Sequence, residues 1–370
     1  MDKHLHIISF DVPYPADYGG VIDVFYKLVA LYEAGIKIHL HCFTKARLPQ
    51  NELNKYCVAV YYYKRKKSMP GNVPYIVQSR VDKQLLARLL QDDYPILMEG
   101  IHCTGFLRNI QLKNRIKVVR LHNVEHKYYA SLADAENSFL KKSFFKREST
   151  LLKMYEKAIS SQAVFAALNK EDKEYYEKVF LAKQVNLIPV FLPWKAVNIS
   201  AGKGKYCLYH GNLSVIENEM AAIWLIENVF KLLPVPLIIA GKAPTKKLEK
   251  IVEKYSNITL INTPDDAAMQ ALITGAQINI LPSFNSTGVK LKLLNALFNG
   301  RHCMVNMSAV AGTELATVCT IAATAEDFKL QVQKLFEQNF SETDISKRKE
   351  TLSPLYHQSI QTKALIGLLY

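Results

Sequence analysis

The sequence has no paired-cysteine motif and no long apolar run. It contains 370 residues but only six cysteines, at positions 42, 57, 103, 207, 303 and 319, and no C-x-x-C pair occurs among them. This spacing argues against a disulfide framework, and the apolar surroundings of most of these cysteines predict buried, reduced thiols. A transmembrane helix needs about 20 mostly apolar residues in a row, and the sequence does not offer them. We therefore expect full-sized hydrophobic cores and no membrane span.

The sequence fingerprints of several nucleotide-binding classes are also missing. No G-x-G-x-x-G occurs, which disfavours a nicotinamide or flavin site, and no G-x-x-x-x-G-K-[ST] occurs, which disfavours a P-loop nucleotidase. Zinc-finger spacing, basic-region heptads and an aromatic RNA-binding motif do not occur either. We therefore expect no nucleic-acid partner.

The charge of the chain is positive and unevenly distributed. The formal net charge is +14, and residues 1–190 contain 29 basic against 19 acidic side chains, a net charge of about +10. This excess points to an anionic partner for the N-terminal half, either a charged small molecule or an anionic membrane surface. The first eight residues pass directly into a strand pattern without an apolar signal region or a cleavage site, so we expect a cytoplasmic protein.

The chain alternates between strand and helix patterns in two series. The first series has predicted strands at 4–10, 36–43, 57–63, 95–99, 116–121, 163–168 and 185–190, with helices at 21–32, 81–91, 125–160 and 170–180. The second has strands at 206–210, 237–240, 258–261, 278–281 and 303–306, again with helices between them. Such alternation predicts an α/β fold with mostly parallel sheets covered by helices on both faces.

The breakers between the two series predict a domain boundary. Prolines and glycines without any periodicity occupy residues 191–205, which we interpret as a linker. A chain of this length exceeds one usual core, so we expect one domain at 1–190 and a second at 206–353. The helical pattern at 354–370 has no strand to cover in the second domain, and we expect it to return to the first.

One turn in the second series has the pattern of an anion site. The strand at 278–281 ends at Pro282, and small polar residues with Gly288 lead into a helix that opens with Lys290 and Lys292. Free N–H groups and the helix dipole attract anions at such a terminus, and the lysines add positive charge. The pattern predicts a phosphorylated ligand; the alternative is an ordinary turn with two solvated lysines.

The segment Arg120-Leu-His-Asn-Val-Glu-His126 matches the H-x-x-E-H pattern of inverted zinc peptidases. That pattern needs both histidines on one helix face, whereas the strand at 116–121 runs directly into His122. We therefore favour His122 as a histidine at a strand tip, able to hydrogen-bond a sugar hydroxyl or to polarise a reacting group. The alternative is a turn histidine that caps the next helix, and Arg120 is expected to be structural.

The helical pattern at 139–159 combines apolar residues with a basic face. Its cationic residues are Lys141, Lys142, Lys146, Arg147, Lys153 and Lys157, and residues 64–67 add four more. Such a face can lie on anionic lipid, which would make the protein peripheral to a membrane. A helix packed on the core with a solvated basic face would have the same pattern.

Four segments together resemble one enzyme family. They are the opening strand with its proline-containing loop and Gly19-Gly20, the run Leu121-His-Asn-Val-Glu-His-Lys-Tyr-Tyr129, the run Leu208-Tyr-His-Gly-Asn-Leu213 followed by Glu217 and Asn218, and Pro282 to Gly300. The second is similar to an "HN-x-E" segment and the fourth to a donor segment "P-x-x-x-x-x-G-v-k-x-K-x-x-E-A-x-x-x-G". In these features the sequence resembles the GT-B glycosyltransferases of the large retaining family four.

The resemblance implies two Rossmann-like α/β domains that face each other across a cleft. It implies transfer of a hexose, with retention at the anomeric carbon, from a nucleotide diphosphate sugar to a glycan or glycolipid acceptor. Neither a metal ion nor a cofactor is expected to take part. The first domain would serve the acceptor and the second would hold the donor.

The resemblance also assigns candidate site residues. His122 would orient the donor sugar or the acceptor as the catalytic residue. The donor would contact Gly211, Asn212, Ser286, Thr287, Gly288, Lys290, Lys292 and Asn295, while Gly19, Gly20 and Asn123 would form a loop for sugar or acceptor.

Two departures from the family pattern leave alternatives open. Thr287 and Asn295 stand where many members carry two glutamates, and the turn at Gly211 lacks the Arg and Lys that often grip the diphosphate. A catalytically silent protein that binds sugar nucleotides would show the same losses. A nucleotide-sugar epimerase on the same fold is a further alternative.

Overall fold

The computed structural model describes residues 2–67, 71–285 and 287–370, and the chain divides into two α/β units. The first unit extends to Pro193 and includes Tyr356–Tyr370, and the second unit is Trp194–Leu355. The division lies within the region 191–205 that the sequence marked as a linker. Beyond it, Gly202 forms a backbone bridge with Phe340, and the Gly204 N–H donates to Gln277 Oε1 at 2.7 Å.

The first unit is built on a parallel sheet. Its strands are β1 (His4–Ser9), β2 (Lys37–Thr44), β3 (Ala59–Lys64), β4 (Ile96–Glu99), β5 (Lys117–Leu121), β6 (Val164–Ala167) and β7 (Val185–Leu187). Its helices before residue 194 are α1 (Gly19–Glu33), α2 (Tyr75–Gln78), α3 (Lys83–Leu89), α4 (Glu125–Ala135), α5 (Phe139–Ile159) and α6 (Lys170–Lys178). Short 3₁₀ turns lie at Asn51–Lys55, Ile101–Phe106 and Ile110–Leu112.

The second unit repeats this architecture. Its strands are β8 (Cys207–His210), β9 (Leu237–Gly241), β10 (Ile258–Asn262), β11 (Ile278–Ile280), β12 (His302–Val305) and β13 (Thr320–Ile321). Its helices are α7 (Ile216–Asn228), α8 (Lys246–Val252), α9 (Asp266–Gly275), α10 (Leu291–Asn299), α11 (Met307–Val310), α12 (Ala325–Glu337) and α13 (Glu342–Leu355), with 3₁₀ turns at Phe230–Leu232 and Leu315–Val318. The last helix, α14 (Gln358–Leu369), belongs to the first unit.

The predicted α/β fold class is confirmed. The first sheet has the order β3-β2-β1-β4-β5-β6-β7 and the second the order β10-β9-β8-β11-β12-β13, and the strand pairs within each sheet are parallel. The apolar strands form because both faces are covered: Ile7 packs in one core with Leu28 and Leu365, while Ile8 packs in the other. The region predicted as one helix at 125–160 is two helices, α4 and α5, and the two-residue strand β13 was not predicted.

The strand order indicates where in each sheet a ligand is expected to bind. In the first sheet the direction of winding reverses between β1 and β4, and in the second sheet between β8 and β11. Open α/β sheets bind their ligands in the crevice outside the carboxyl ends of the strands at such a point. The loops after β1, β4, β8 and β11 are therefore where binding residues are expected.

A chain of hydrogen bonds crosses the first three strands in one direction. Asp92 accepts from His6 Nε2 at 3.0 Å, so His6 Nδ1 is left as the acceptor for His41 Nε2 at 2.9 Å. His41 Nδ1 then accepts from the Tyr63 hydroxyl at 2.9 Å, and the hydroxyl oxygen accepts from Arg88 at 3.1 Å. The chain is complete when both imidazoles are neutral.

Burial disfavours the charged form of these imidazoles. It lowers the pKa of His6 in spite of Asp92, and it lowers the pKa of His41 well below the usual value, with a further contribution from the neighbouring charge of His6. Because the unfolded chain binds protons near pH 6.5 and the folded chain does so only at lower pH, the unfolded state takes up more protons below pH 6.5. Acid therefore removes the stability that these two neutral imidazoles contribute to the first unit.

We predict that the variant His41→Phe responds less to acid than the unaltered protein when the melting temperatures at pH 7.5 and pH 5.5 are compared. For each proton that only the unfolded state binds, the free energy of unfolding falls by up to about 1.4 kcal/mol for every pH unit below the unfolded pKa. The variant His41→Phe will melt lower at pH 7.5, because it leaves His6 Nδ1 without a donor and the Tyr63 hydroxyl without an acceptor. It will lose less stability between the two pH values. Scanning calorimetry of the whole protein measures both, with the exposed His357→Gln as control. An undiminished pH effect in His41→Phe would contradict the prediction.

Candidate functional site

Aromatic and imidazole rings gather at the carboxyl ends of β1, β4 and β5. The Phe10 ring follows β1 and lies 5.3 Å from both His102 and His122, measured between ring centroids. Gly100 follows β4 with φ of +72°, and a Cβ atom there would lie 2.9 Å from His102 Nδ1. Glycine is required at this position by its backbone angle and by the approach of the imidazole.

One of the two predicted loop glycines packs against this group. A Cβ atom on Gly20 would lie 2.6 Å from Phe10 Cζ, and Gly19 begins α1 directly before it. The absence of a side chain at Gly20 thus lets α1 start beside the Phe10 ring. The sequence suggested close approach of a phosphate or sugar here, and the contact that the structure describes is with Phe10.

Beneath the rings lies a buried cluster of four charges. Lys27 Nζ donates to Asp23 Oδ2 at 2.9 Å and to the two carboxylate oxygens of Glu99 at 2.7 and 2.9 Å. Arg120 binds Asp23 through Nε at 3.0 Å and Nη2 at 2.9 Å. Two acidic and two basic groups balance one another, as charges in a protein interior must. The partners of Arg120 agree with the structural role that the sequence suggested.

The two carboxylates of this cluster remain ionised. Burial works to raise the pKa of Asp23, but Arg120 and Lys27 outweigh it and lower that pKa. Burial also works to raise the pKa of Glu99, and the charge of Lys27 together with the hydrogen bond from His122 lowers it. Both groups are therefore hydrogen-bond acceptors.

His122 contacts the cluster through Glu99, with His122 Nε2 at 3.1 Å from Glu99 Oε2. His126 has other partners: its Nδ1 lies 2.8 Å from Glu156 Oε2 and its Nε2 lies 3.1 Å from the Tyr175 hydroxyl. Both ring nitrogens of His126 are thus used within the protein, so the zinc-peptidase alternative has no support. One nitrogen of His122 and oxygens of Asp23 and Glu99 lie within 4.8 Å of one another, a spacing that could suit a metal ion. In this structure Lys27 Nζ already binds both carboxylates.

Glu125 lies in the same segment as His122 and His126, and its pKa is shifted in the opposite direction to those of Asp23 and Glu99. Burial and repulsion from Glu156 raise the pKa of Glu125 to about 8, and its side chain hydrogen-bonds with Asn123. Its Oε1 lies 3.9 Å from His102 Nδ1. The candidate residue Asn123 is therefore tied to a carboxyl group whose pKa lies well above its ordinary value.

In the second unit Lys292 lies at the second position of α10. Its Nζ lies 3.0 Å from Asn218 Oδ1 and 3.2 Å from the Tyr209 hydroxyl, and it stands 4.7 Å from the centre of the Tyr209 ring. Burial, with a contribution from the charge of Lys290, lowers the pKa of Lys292 to about 7. The amine is thus only partly protonated at neutral pH, and its hydrogen-bond partners are neutral groups in a poorly solvated place.

The loop before α10 is organised by an amide. Asn285 Oδ1 accepts from the backbone N–H and the hydroxyl of Thr287, both at 2.8 Å, and Asn285 Nδ2 donates to Glu217 Oε1 at 2.9 Å. Gly288 has φ of +68°, a conformation that suits glycine, and Lys290 Nζ donates to the Thr287 carbonyl oxygen at 2.7 Å. The predicted contact Ser286 lies outside the described residues.

Three further donor candidates lie at or near the switch between β8 and β11. Gly211 and Asn212 follow β8, and the Asn212 carbonyl accepts from the Asn218 side chain at 2.9 Å, which links this turn to Lys292. Asn295 lies one turn further into α10, where its Oδ1 accepts from Asn299 at 2.9 Å. The structure thus brings Lys292 together with the Asn212 turn through Asn218.

Several residues of the site were not identified from the sequence. They are Phe10, Asp23, Lys27, Glu99 and His102, of which Asp23 and Lys27 lie on α1 and the others lie at or after the carboxyl ends of β1 and β4. One signal was present, because Asp23 and Lys27 are an i, i+4 ion pair inside the otherwise apolar helix α1. Glu99 at the end of an apolar strand was a second signal, since a charge there needs a buried partner.

Comparison with known proteins supports this architecture. No protein-family model matches the sequence. A Klebsiella pneumoniae protein described as an uncharacterized 44.6 kDa protein in the cps region is 30% identical over 331 residues, which cover 83% of each chain.

Among solved structures, Staphylococcus aureus TarM in complex with fondaparinux, α-GlcNAc-glycerol and UDP has a TM-score of 0.68 at 11% identity, with 99% of each chain covered. A glycosyltransferase from Rickettsia africae has a TM-score of 0.68 at 11% identity, covering 100% of this chain and 98% of that one. The lipopolysaccharide outer core galactosyltransferase WaaB has a TM-score of 0.62 at 13% identity, covering 99% and 98%. At these identities the likeness establishes the fold alone. The chain therefore has the GT-B fold that these glycosyltransferases share, and it belongs to the family of the Klebsiella pneumoniae cps-region protein.

Proposed function

We propose that the chain is a retaining glycosyltransferase of the family-four type. It would transfer a hexose from a nucleotide diphosphate sugar to a glycan or glycolipid acceptor, in the cytoplasm and without a metal ion or a cofactor. The structural neighbours include proteins described with UDP and α-GlcNAc-glycerol, with UDP and glucose, and as a galactosyltransferase. The single observation that supports this function best is the environment of Lys292.

Among the contacts of the described residues, Lys292 Nζ is bound by an amide oxygen and a phenol, both neutral. Buried charges are normally paired with an opposite charge, and burial here lowers the pKa of Lys292 to about 7. The charge of Glu217 raises this pKa, but burial and Lys290 outweigh it, so a diphosphate would add the negative charge that stabilises the protonated amine. It would also meet the N–H groups at the start of α10, which has no side-chain cap and follows the left-handed turn at Gly288.

This arrangement suits the departure of a nucleoside diphosphate. Negative charge develops on the leaving phosphate oxygen as the glycosidic bond breaks, and a fixed cation with aligned N–H groups stabilises it in the transition state. Thr287 and Lys290, which are tied together through the Thr287 carbonyl, would complete the contact with the phosphates. Gly211 and Asn212 would contact the donor from the turn after β8.

In the first unit, His122, His102 and Phe10 offer two imidazoles beside an aromatic ring. Sugar rings present hydroxyl groups for hydrogen bonds and apolar C–H faces for aromatic rings, so the group is chemically suited to a hexose or to a glycan acceptor. His122 would orient a reacting hydroxyl or the transferred sugar. Asn123, Gly19 and Gly20 would contribute to the walls of this site.

The missing glutamates are the reason to retain two other candidates. Asn295 is bound to Asn299 and Thr287 to Asn285, so neither supplies a negative charge. A silent sugar-nucleotide-binding protein and a nucleotide-sugar epimerase are the alternatives. Incubation with a panel of sugar nucleotides separates them: sugar transfer or hydrolysis supports the transferase, binding alone the silent protein, and an isomerised sugar the epimerase.

We predict that Lys292→Ala weakens donor binding more than His122→Ala does, while His122→Ala mainly lowers kcat. Loss of a charge-assisted contact to the diphosphate costs about 1.5 to 3 kcal/mol in the ground state and in the transition state alike, so it raises the donor KM. His122 acts on the transferred group, so its loss affects the chemical step. Calorimetric donor titration and steady-state kinetics of both variants test this.

The matched control is Lys247→Ala on the exposed face of α8, which should leave donor affinity unchanged. A diphosphate favours the protonated amine, so donor affinity of the unaltered protein should fall as the pH rises above about 7, the pKa of Lys292 in the free protein. This pH dependence should be absent from Lys292→Ala. Unchanged donor affinity in Lys292→Ala would place the phosphates elsewhere.

We further propose weak association of the first unit with anionic membranes through the start of α5. The described residues contain no helix that is both long and apolar enough to cross a membrane. Phe139 and Leu140 are 82% and 80% exposed, beside the cationic side chains of Lys141, Lys142 and Lys146. Apolar side chains that insert between lipids, flanked by lysines that attract acidic head groups, are typical of interfacial helices.

We predict that the protein floats with vesicles of phosphatidylglycerol at low salt and not at 1 M salt, where the screening length falls to about 3 Å. The triple variant Lys141→Glu, Lys142→Glu, Lys146→Glu should stay unbound at low salt, because each basic residue near the surface contributes about 1 kcal/mol. The control Lys246→Glu, Lys247→Glu, Lys250→Glu makes the same charge change on α8 of the second unit. If the two triple variants behave alike, α5 is not the contact.

A further inference from the structure

The carboxylate that holds His122 is itself fixed by two hydrogen bonds. Lys27 Nζ lies 2.7 Å from Glu99 Oε1 and 2.9 Å from Oε2, and the exposed fractions of the Lys27 and Glu99 side chains are 1% and 0%. Rotation of the carboxylate would break a buried ion pair, which is costly. Glu99 therefore presents Oε2 to His122 in a fixed direction.

Lys27 is fixed in turn by Asp23. The three N–H bonds of the ammonium are matched by three carboxylate oxygens, one from Asp23 and two from Glu99. Asp23 is saturated by Arg120 and by the backbone N–H of Phe191, which donates to Oδ1 at 2.8 Å. Helix α1, strands β4 and β5 and the segment after β7 thus meet in one network that ends at the His122 ring.

The charge of Glu99 decides which atom is the donor in the hydrogen bond between Glu99 and His122. A carboxylate accepts hydrogen bonds and cannot donate them, so the proton between Glu99 and His122 belongs to Nε2. The lone pair of a neutral imidazole then lies on Nδ1. The His122 side chain is only 9% exposed, and its ring lies where β5 ends, beside Phe10.

We propose that Glu99 is a positioning residue that fixes the His122 ring through Nε2–H, so that Nδ1 accepts a hydrogen bond from a hydroxyl group of the sugar or of the acceptor. This inference rests on the proposed function for the identity of the hydroxyl. In this arrangement Lys27 binds Glu99 directly, and Asp23 and Arg120 hold Lys27 in place. A histidine that only caps α4 would not need a balanced four-charge network behind it.

The test replaces Lys27 and Glu99 together, because removing one of them would leave a buried charge without its partner. Lys27→Met/Glu99→Leu removes the acceptor for His122 and leaves Asp23 with Arg120. Lys27→Met/Glu99→Gln restores a carbonyl oxygen at the same place. Lys173→Met/Glu177→Leu removes an exposed Lys–Glu pair of α6, with 34% and 38% side-chain exposure, and serves as control.

The first readout is nuclear magnetic resonance of the whole protein with ¹⁵N-labelled histidine, with the His122 signals assigned through His122→Gln. We expect a protonated Nε2 in His122 with a slowly exchanging N–H proton. His126, which faces Glu156 through Nδ1, provides the opposite tautomer as an internal reference. The slow proton of His122 should be lost in Lys27→Met/Glu99→Leu and return in Lys27→Met/Glu99→Gln.

The second readout is kinetic. In Lys27→Met/Glu99→Leu we expect kcat to fall roughly tenfold to a hundredfold with little change in donor KM, and the glutamine version to recover most of it. The control should keep the original kcat. A His122 protonated on Nδ1 alone, or a protected Nε2 proton that survives without Glu99, would overturn the inference whatever the activity. If no sugar nucleotide is turned over, the proposed function fails while the resonance result still decides the role of Glu99.

Discussion

The ammonium of Lys27, enclosed by the carboxylates of Asp23 and Glu99, is the interaction on which the first unit depends. It joins helix α1 to the end of β4, and Asp23 extends the connection to Arg120 on β5. These elements are far apart in the sequence, and apolar packing alone would tolerate small shifts between them. Ion pairs of 2.7 to 2.9 Å in a dry interior do not, because a displaced charge would lose its partner without gaining water. The network thus sets the positions of the loops that carry Phe10, Gly100 and His122.

The same constraint explains why this edge of the sheet can hold polar groups at all. The β1–β4 switch is covered by apolar residues on both faces, with Ile7 in one core and Ile8 in the other. An imidazole at such a place could hydrogen-bond with solvent or with several neighbours and would then adopt several orientations. A ring without one fixed orientation is a poor hydrogen-bond partner for a hydroxyl group. Fixing one nitrogen on Glu99 leaves the other nitrogen with a defined direction. Stability and recognition therefore share one set of residues in this unit.

The parts of this architecture that depend on local pattern could be predicted from the sequence. Buried parallel strands appear as short apolar runs. The turn from β11 to α10 is indicated by Pro282, Gly288 and two lysines. The partners of His122 could not be predicted, because Lys27, Glu99 and Arg120 come together only through the order β1-β4-β5, which the spacing of strands does not fix. The split between α4 and α5 was missed since helical periodicity continues across residues 136–138. Gly20 was assigned to ligand approach, and only the folded chain reveals the Phe10 ring against it.

Two lysines of the chain, the buried Lys27 and the half-buried Lys292, show how the partner, and not the residue type, indicates a site. Lys27 is surrounded by carboxylate oxygens and its charge is cancelled within the fold, so it has no need of a ligand. Lys292 is held by a phenol and an amide, and burial lowers its pKa to about 7, which means that folding places a cation where it is poorly stabilised. A group kept in that condition gains most when an anion arrives, because the anion restores both the charge balance and the protonated form. By this reasoning we propose that the anionic part of a donor binds at the start of α10 and that the network around Lys27 serves the neutral, hydroxyl-bearing part of a substrate.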